Sequence, residues 1–148
     1  MKFAIRLLVG AACAVSAAAH ASKPAEHSPW TERRICEQVI DGEIFARTEL
    51  LFGLSRSNGP DITETEFQDF VDAQVTPRFP DGLTLLTGNG QFKDSTGNIV
   101  QEGSKLLILL YPFNKKRSAL VDEVRAEYKT AFQQESVLRI DEHSCVSF

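Results

Sequence analysis

Arg47 and Glu49 stand two residues apart in an alternating stretch, IFARTELLFGL (44–54). In an extended strand that spacing points both side chains to the same side. A guanidinium beside a carboxylate among leucines suits two uses. One is an ion pair that sets the register between packed sheets; the other is a pocket for a small polar or anionic ligand. Lys105 joins the pair if it shares the parity of Leu107 on the side that Arg47 and Glu49 face. Tyr111 in the same later strand, Arg139 near the end of the chain and Arg78 in the segment TPRFPDGLT (76–84) complete the candidates for ligand binding.

Other chemistry is missing from the sequence. There is no GxSxG elbow, no phosphate-binding GxxxxGK[ST] loop and no GxGxxG opening a helix. No cofactor is therefore expected, and Gly88-Asn89-Gly90 is read as a turn signal. His27 falls in a polar leader, and His143 reads as a surface histidine. Cys36 and Cys145 have no CxxC or HxxxH companions, so a disulfide is expected there and no metal. The formal charge is −4 and Trp30 stands alone, with no basic stripe or basic-aromatic run, which excludes a typical nucleic-acid surface. At 148 residues with 43% hydrophobic and 24% charged residues, the chain has the balance of one folded domain.

The first 21 residues read as a secretory signal. Lys2 and Arg6 open it, Leu7 to Ala19 is an uncharged apolar run, and Ala19-His20-Ala21 is a cleavage site. The run is too short to span a membrane, and no later segment has spanning length. Export to a periplasm or the exterior is expected, where disulfides persist. A lipoprotein lipidated at Cys13 is the minor alternative; Gly10-Ala11-Ala12 lacks the large aliphatic residue that such a site favours. Residues 22–35 read as a flexible leader and 36–148 as one α+β domain.

Positioning these groups requires six elements. Ile44 to Leu54 alternates as a strand. A helix starts at Thr63, which has capping-box spacing to Glu66, and ends before Pro77. Leu83 to Phe92 and Ile99 to Tyr111 are strands around a turn at 95–98, the second expected to bulge at Gly103. A helix over Ser118 to Phe132 carries Leu120, Val121, Val124, Tyr128, Ala131 and Phe132 as its apolar stripe. Ser136 to Ile140, extending toward Val146, is the last strand. The order β-α-β-β-α-β predicts a ferredoxin-like fold: four antiparallel strands with two helices on one face. In that topology the last strand lies beside the first, which brings Cys36 toward Cys145. Closing a loop of roughly 100 residues contributes about 4 to 5 kcal/mol on the chain-entropy model.

The helices cover one side of this sheet. The other is also apolar, because Leu106 to Leu110 is five apolar residues in a row and strand one adds Phe45 and Leu51. A second copy packed face to face, as in dimeric α/β barrels, is the expected cover; the leader or the C-terminal tail folding across is the alternative.

Arg-Thr-Glu-Leu-Leu-Phe-Gly (47–53), Thr-Pro-Arg-Phe-Pro-Asp-Gly-Leu-Thr (76–84), Ser-Lys (104–105) and Gln-Glu-Ser-Val-Leu-Arg (134–139) resemble a family of small exported bacterial proteins, domain-of-unknown-function family 3574. The resemblance runs from about Cys36 to Phe148. Its recurring residues fall here on Arg47, Glu49, Gly53, Pro77, Arg78, Phe79, Pro80, Gly82, Lys105, Glu135 and Ser136. It implies an exported single-domain protein and supplies no activity. The expected function is a non-catalytic binding or interaction module. The alternative is a small dimeric α/β-barrel enzyme, monooxygenase- or isomerase-like, acting on a small polar or anionic molecule.

Overall fold

The computed structural model describes residues 29–56, 58–93 and 96–148. The signal segment with Cys13, leader residues 22–28 with His27, and Ser95 of the expected turn lie outside the described residues.

Strand β1 (Glu43–Gly53) follows its alternation: Ala46, Thr48, Leu50 and Phe52 are buried, and the residues between them are half-buried. Helix α2 (Glu64–Phe70) begins as its capping box dictates. The Thr63 hydroxyl accepts from the Glu66 N–H, and the Glu66 carboxylate accepts from the Thr63 N–H at 2.8 Å. It then widens into a π-helical turn, Val71–Val75, in which the Thr76 N–H reaches the Val71 carbonyl at 2.9 Å. This turn keeps both Val71 and Val75 in the core and ends where Pro77 offers no N–H to continue it. Strands β2 (Leu83–Lys93) and β3 (Ile99–Pro112) form a long hairpin. Helix α3 (Lys115–Phe132) is capped by Asn114, whose side chain accepts from the Arg117 N–H. Strand β4 (Leu138–Val146) closes the sheet.

The sheet order is β2-β3-β1-β4, antiparallel throughout. This is the α+β, ferredoxin-like arrangement. Helices α2 and α3 pack on one face around an aromatic cluster in which Phe52 lies 4.5 Å from Tyr128 between ring centroids and 5.6 Å from Phe67. The Tyr128 hydroxyl donates to the Gly53 carbonyl at 2.8 Å, and its burial pushes the phenol well above its ordinary range.

Several features differ from expectation, among them the start of α3 at Lys115, three residues before Ser118. A third helix, α1 (Pro29–Val39), begins inside the stretch read as a leader. Over residues 31–39 its exposed surface is polar apart from Ile35 and Val39, so it carries no full apolar stripe to announce it. Its covalent anchor is the Cys36–Cys145 disulfide, with Cα atoms 5.5 Å apart, which ties it beside the ends of β1 and β4. The bulge expected at Gly103 is absent, since β3 pairs with β2 in unbroken register through it. Glycine there suits the close approach of Leu54, whose Cδ1 would stand 3.1 Å from an added Cβ. Finally, β4 starts two residues later than expected, at Leu138, and runs on to Val146.

Candidate functional site

The helix-free side of the sheet is a ladder of cross-strand rows. Leu86, Leu106, Leu51 and Leu138 form one row across all four strands. Thr84, Ile108, Glu49 and Ile140 form the next, and Leu110, Arg47 and Glu142 the third. In this single chain Leu86 is 50% exposed, Leu110 40%, Leu138 57% and Ile140 46%. Four large aliphatic side chains on one contiguous face are an unusual burden for a surface that meets only water.

Arg47 lies within this field between two carboxylates. It pairs with Glu49 on its own strand and with Glu142 of β4 at 2.7 Å. The hydrogen bond to Glu142 is the main influence raising the guanidinium above its ordinary value, and the charge of Glu49 adds to it. The cation is therefore already neutralised within the chain, which suits an element that fixes sheet register.

The other four candidates stand on the opposite side. Lys105 does share the parity of Leu107, but that parity faces the helices. Its side chain is buried and donates to Glu64 and, at 2.7 Å, to Thr87, with the Phe67 ring 5.7 Å away. Tyr111 is buried against Phe79 and shares a 2.7 Å hydrogen bond with the Thr48 hydroxyl. Thr48 donates in turn to Asp141 at 2.6 Å. Arg139 binds that same carboxylate at 2.8 Å and reaches across to Asp122 and Ser118 of α3. Burial works to raise the Asp141 carboxyl, and the Arg139 and Thr48 hydrogen bonds outweigh it, leaving the group below its ordinary range. Arg78, just beyond the π-helical turn, meets Glu123 at 3.2 Å and the Gln74 carbonyl. It lines a shallow groove of about 380 Å³ with Pro77, Pro80, Asn114, Lys116, Arg117 and Leu120. Arg47 and Glu49 are thus brought together; Lys105, Tyr111 and Arg139 belong to the sheet's covered side and Arg78 to the helix layer.

Among the described residues, no group of three His, Cys, Asp or Glu side chains is placed to hold a metal ion. His143 is exposed and stacks edge-on against Phe113, 4.8 Å between centroids. No helix among the described residues is long and apolar enough to cross a membrane.

A family model described as "Protein of unknown function (DUF3574)" matches residues 47–148. The chain belongs to this family. No curated protein matches the sequence. Two solved structures of a phage SAM lyase are similar. One, in complex with S-methyl-5'-thioadenosine, has a TM-score of 0.55 at 16% identity and covers 70% of this chain and 90% of its own. The other, in the apo state, has a TM-score of 0.49 at 20% identity, covering 72% and 92%. The first likeness is one of fold.

The family segment contains groups that sequence pattern does not single out. Glu142 closes the ion-pair trio with Arg47, and Thr48 and Asp141 link Tyr111 to Arg139. A usable signal exists. The disulfide places Cys145 beside the start of β1, where it pairs with Ile44, and counting back along β4 sets Glu142 against Arg47 and Asp141 against Thr48.

Proposed function

We propose that this protein is an exported, non-catalytic interaction module, and that its working surface is the helix-free sheet face, where a second copy packs. One observation carries the reading: the leucine and isoleucine rows of that face are regular and contiguous, and Leu86, Leu110, Leu138 and Ile140 on it are exposed. The Arg47–Glu49–Glu142 trio lies among them as a polar register mark. A catalytic alternative needs several of the candidate groups in one water-shielded place. Arg47 and Glu49 lie across the sheet from Lys105 and Tyr111, which argues for the module. Export is supported by the signal-like first 21 residues and by the Cys36–Cys145 disulfide.

Light scattering on the protein without residues 1–21 tests the assembly. A dimer or larger species is expected at micromolar concentration, and Ile140→Glu is expected to reduce it. A monomer with an intact fold would sink the reading. The enzyme reading, a small dimeric α/β-barrel catalyst, draws on the fold shared with the phage SAM lyase whose structure holds S-methyl-5'-thioadenosine. A thermal-shift titration with that compound decides between them: no shift leaves the module, and a saturable shift favours the catalyst.

A further inference from the structure

The sheet has two edge strands, and they are protected very differently. A free strand edge is a template for pairing with another chain, and proteins guard such edges with charges, prolines, bulges or a covering element. Edge β4 carries such protection in plain form: Arg139, Asp141, Glu142 and His143 lie along it, and the disulfide holds α1 at its end. Edge β2 has a charge only at its last position, Lys93. From Leu83 to Phe92 it carries no charged residue and no proline, and its register with β3 runs unbroken over eleven pairs.

Gly88 sharpens the contrast. It sits in the strand interior without positive φ, and a Cβ built on it would meet nothing within 4 Å. Neither the backbone nor the packing of this chain calls for glycine there. Glycine within a strand weakens it, and often marks a place where another backbone or ligand comes close. Gly88 lies on the helix-free face, next along β2 from Leu86, the outermost member of the four-leucine row.

We propose that β2 pairs antiparallel with β2 of a second copy about a two-fold axis at Thr87, joining two four-stranded sheets into one of eight strands. This register sets Leu86 of each chain opposite Gly88 of the other, so the leucine covers the site that has no side chain. The two Leu86 side chains then stand diagonal to one another, within contact range for such neighbours. The two leucine rows meet at the seam as one continuous band. The same register carries Lys93 toward Asp81 of the mate, an opposite-charge match, and sets no like charges against each other within the strand. The occupant is thus a second copy of this chain, argued from the fit of the strand to itself. The inference does not depend on face-to-face packing.

Two experiments test it. Gly88→Glu places a charge on the seam where the side chain meets nothing in its own chain. It is expected to halve the assembly mass in light scattering while the melting temperature is unchanged or raised. An unchanged mass overturns the proposal. Loss of assembly in Ile140→Glu but not in Gly88→Glu leaves the face and removes the edge; the reverse keeps the edge and removes the face. In the second experiment, Leu86→Cys and Gly88→Cys chains are mixed under mild oxidation. A covalent dimer well above that of either variant alone is expected, and equal yields overturn the register and with it the pairing.

Discussion

The two sides of one sheet are built from alternate residues of the same strands, and they solve the problem of burial in opposite ways. On the covered side, every polar group that enters is used. Thr48, Tyr111, Asp141 and Arg139 form one linked network, and Lys105 is held by Glu64 and Thr87. No buried side-chain nitrogen or oxygen among the described residues lacks a partner. On the open side Arg47 is paired with Glu49 and Glu142, and Leu86, Leu110, Leu138 and Ile140 are exposed. The covered side is complete in one molecule; the open side is apolar enough to gain from a partner.

The sharpest way to test that division is to damage the covered side first. Phe52→Ala removes the ring that touches Phe67, Phe70 and Tyr128, and should cost about 3–5 kcal/mol in chemical denaturation. Thr48→Val keeps the shape but strands the buried Tyr111 hydroxyl and takes a donor from Asp141. About 1–3 kcal/mol is expected in the same measurement. A smaller, graded effect should appear in acid. The Thr63 N–H, then Arg56 and the Thr63 hydroxyl, hold the Glu66 carboxyl at about 2 against an ordinary 4.5. Its stabilising contribution is therefore full above the ordinary carboxylate range and is lost as pH falls toward 2. The melting temperature should decline over that window, and Glu66→Gln should make the decline shallower. The smallest effect belongs to the open side. Ile140→Glu should change the unfolding free energy of the isolated chain by no more than about 0.5 kcal/mol, because the site is already half exposed. A cost comparable to that of Thr48→Val would mean that the open side is structurally closed after all.

The fold is legible where local signals are strong. Thr63 and Glu66 announce a helix start that the structure forms in full, the β1 alternation fixes which residues turn inward, and the cysteine pair agrees with the strand order. The family resemblance carried by four short motifs is met by the match over 47–148. The candidate site is harder to read. Strand β3 is apolar at both parities from Leu106 to Leu110, so the pattern alone does not say which side meets the helices, and Lys105 and Tyr111 could be set on either. Their true side follows from pairing: Phe52 stands opposite Lys105 and Ala46 opposite Tyr111, and both are core residues. Arg139 is decided the same way by its pairing with Leu50. Helix α1 escapes the pattern because its sequence is polar and starts with Pro29, which suits both a loop and a first helical turn.

The bond between Cys36 and Cys145 joins residues 109 apart in sequence, outside the first strand at one end and near the end of the last at the other. A tensile load applied through the flanking segments would therefore travel across two sulfur atoms and bypass the sheet between them. The strands between the two cysteines, β4 up to Cys145 included, would stay slack while the chain on either side stretched, which makes the domain a mechanically shielded unit for as long as the bridge stays oxidised.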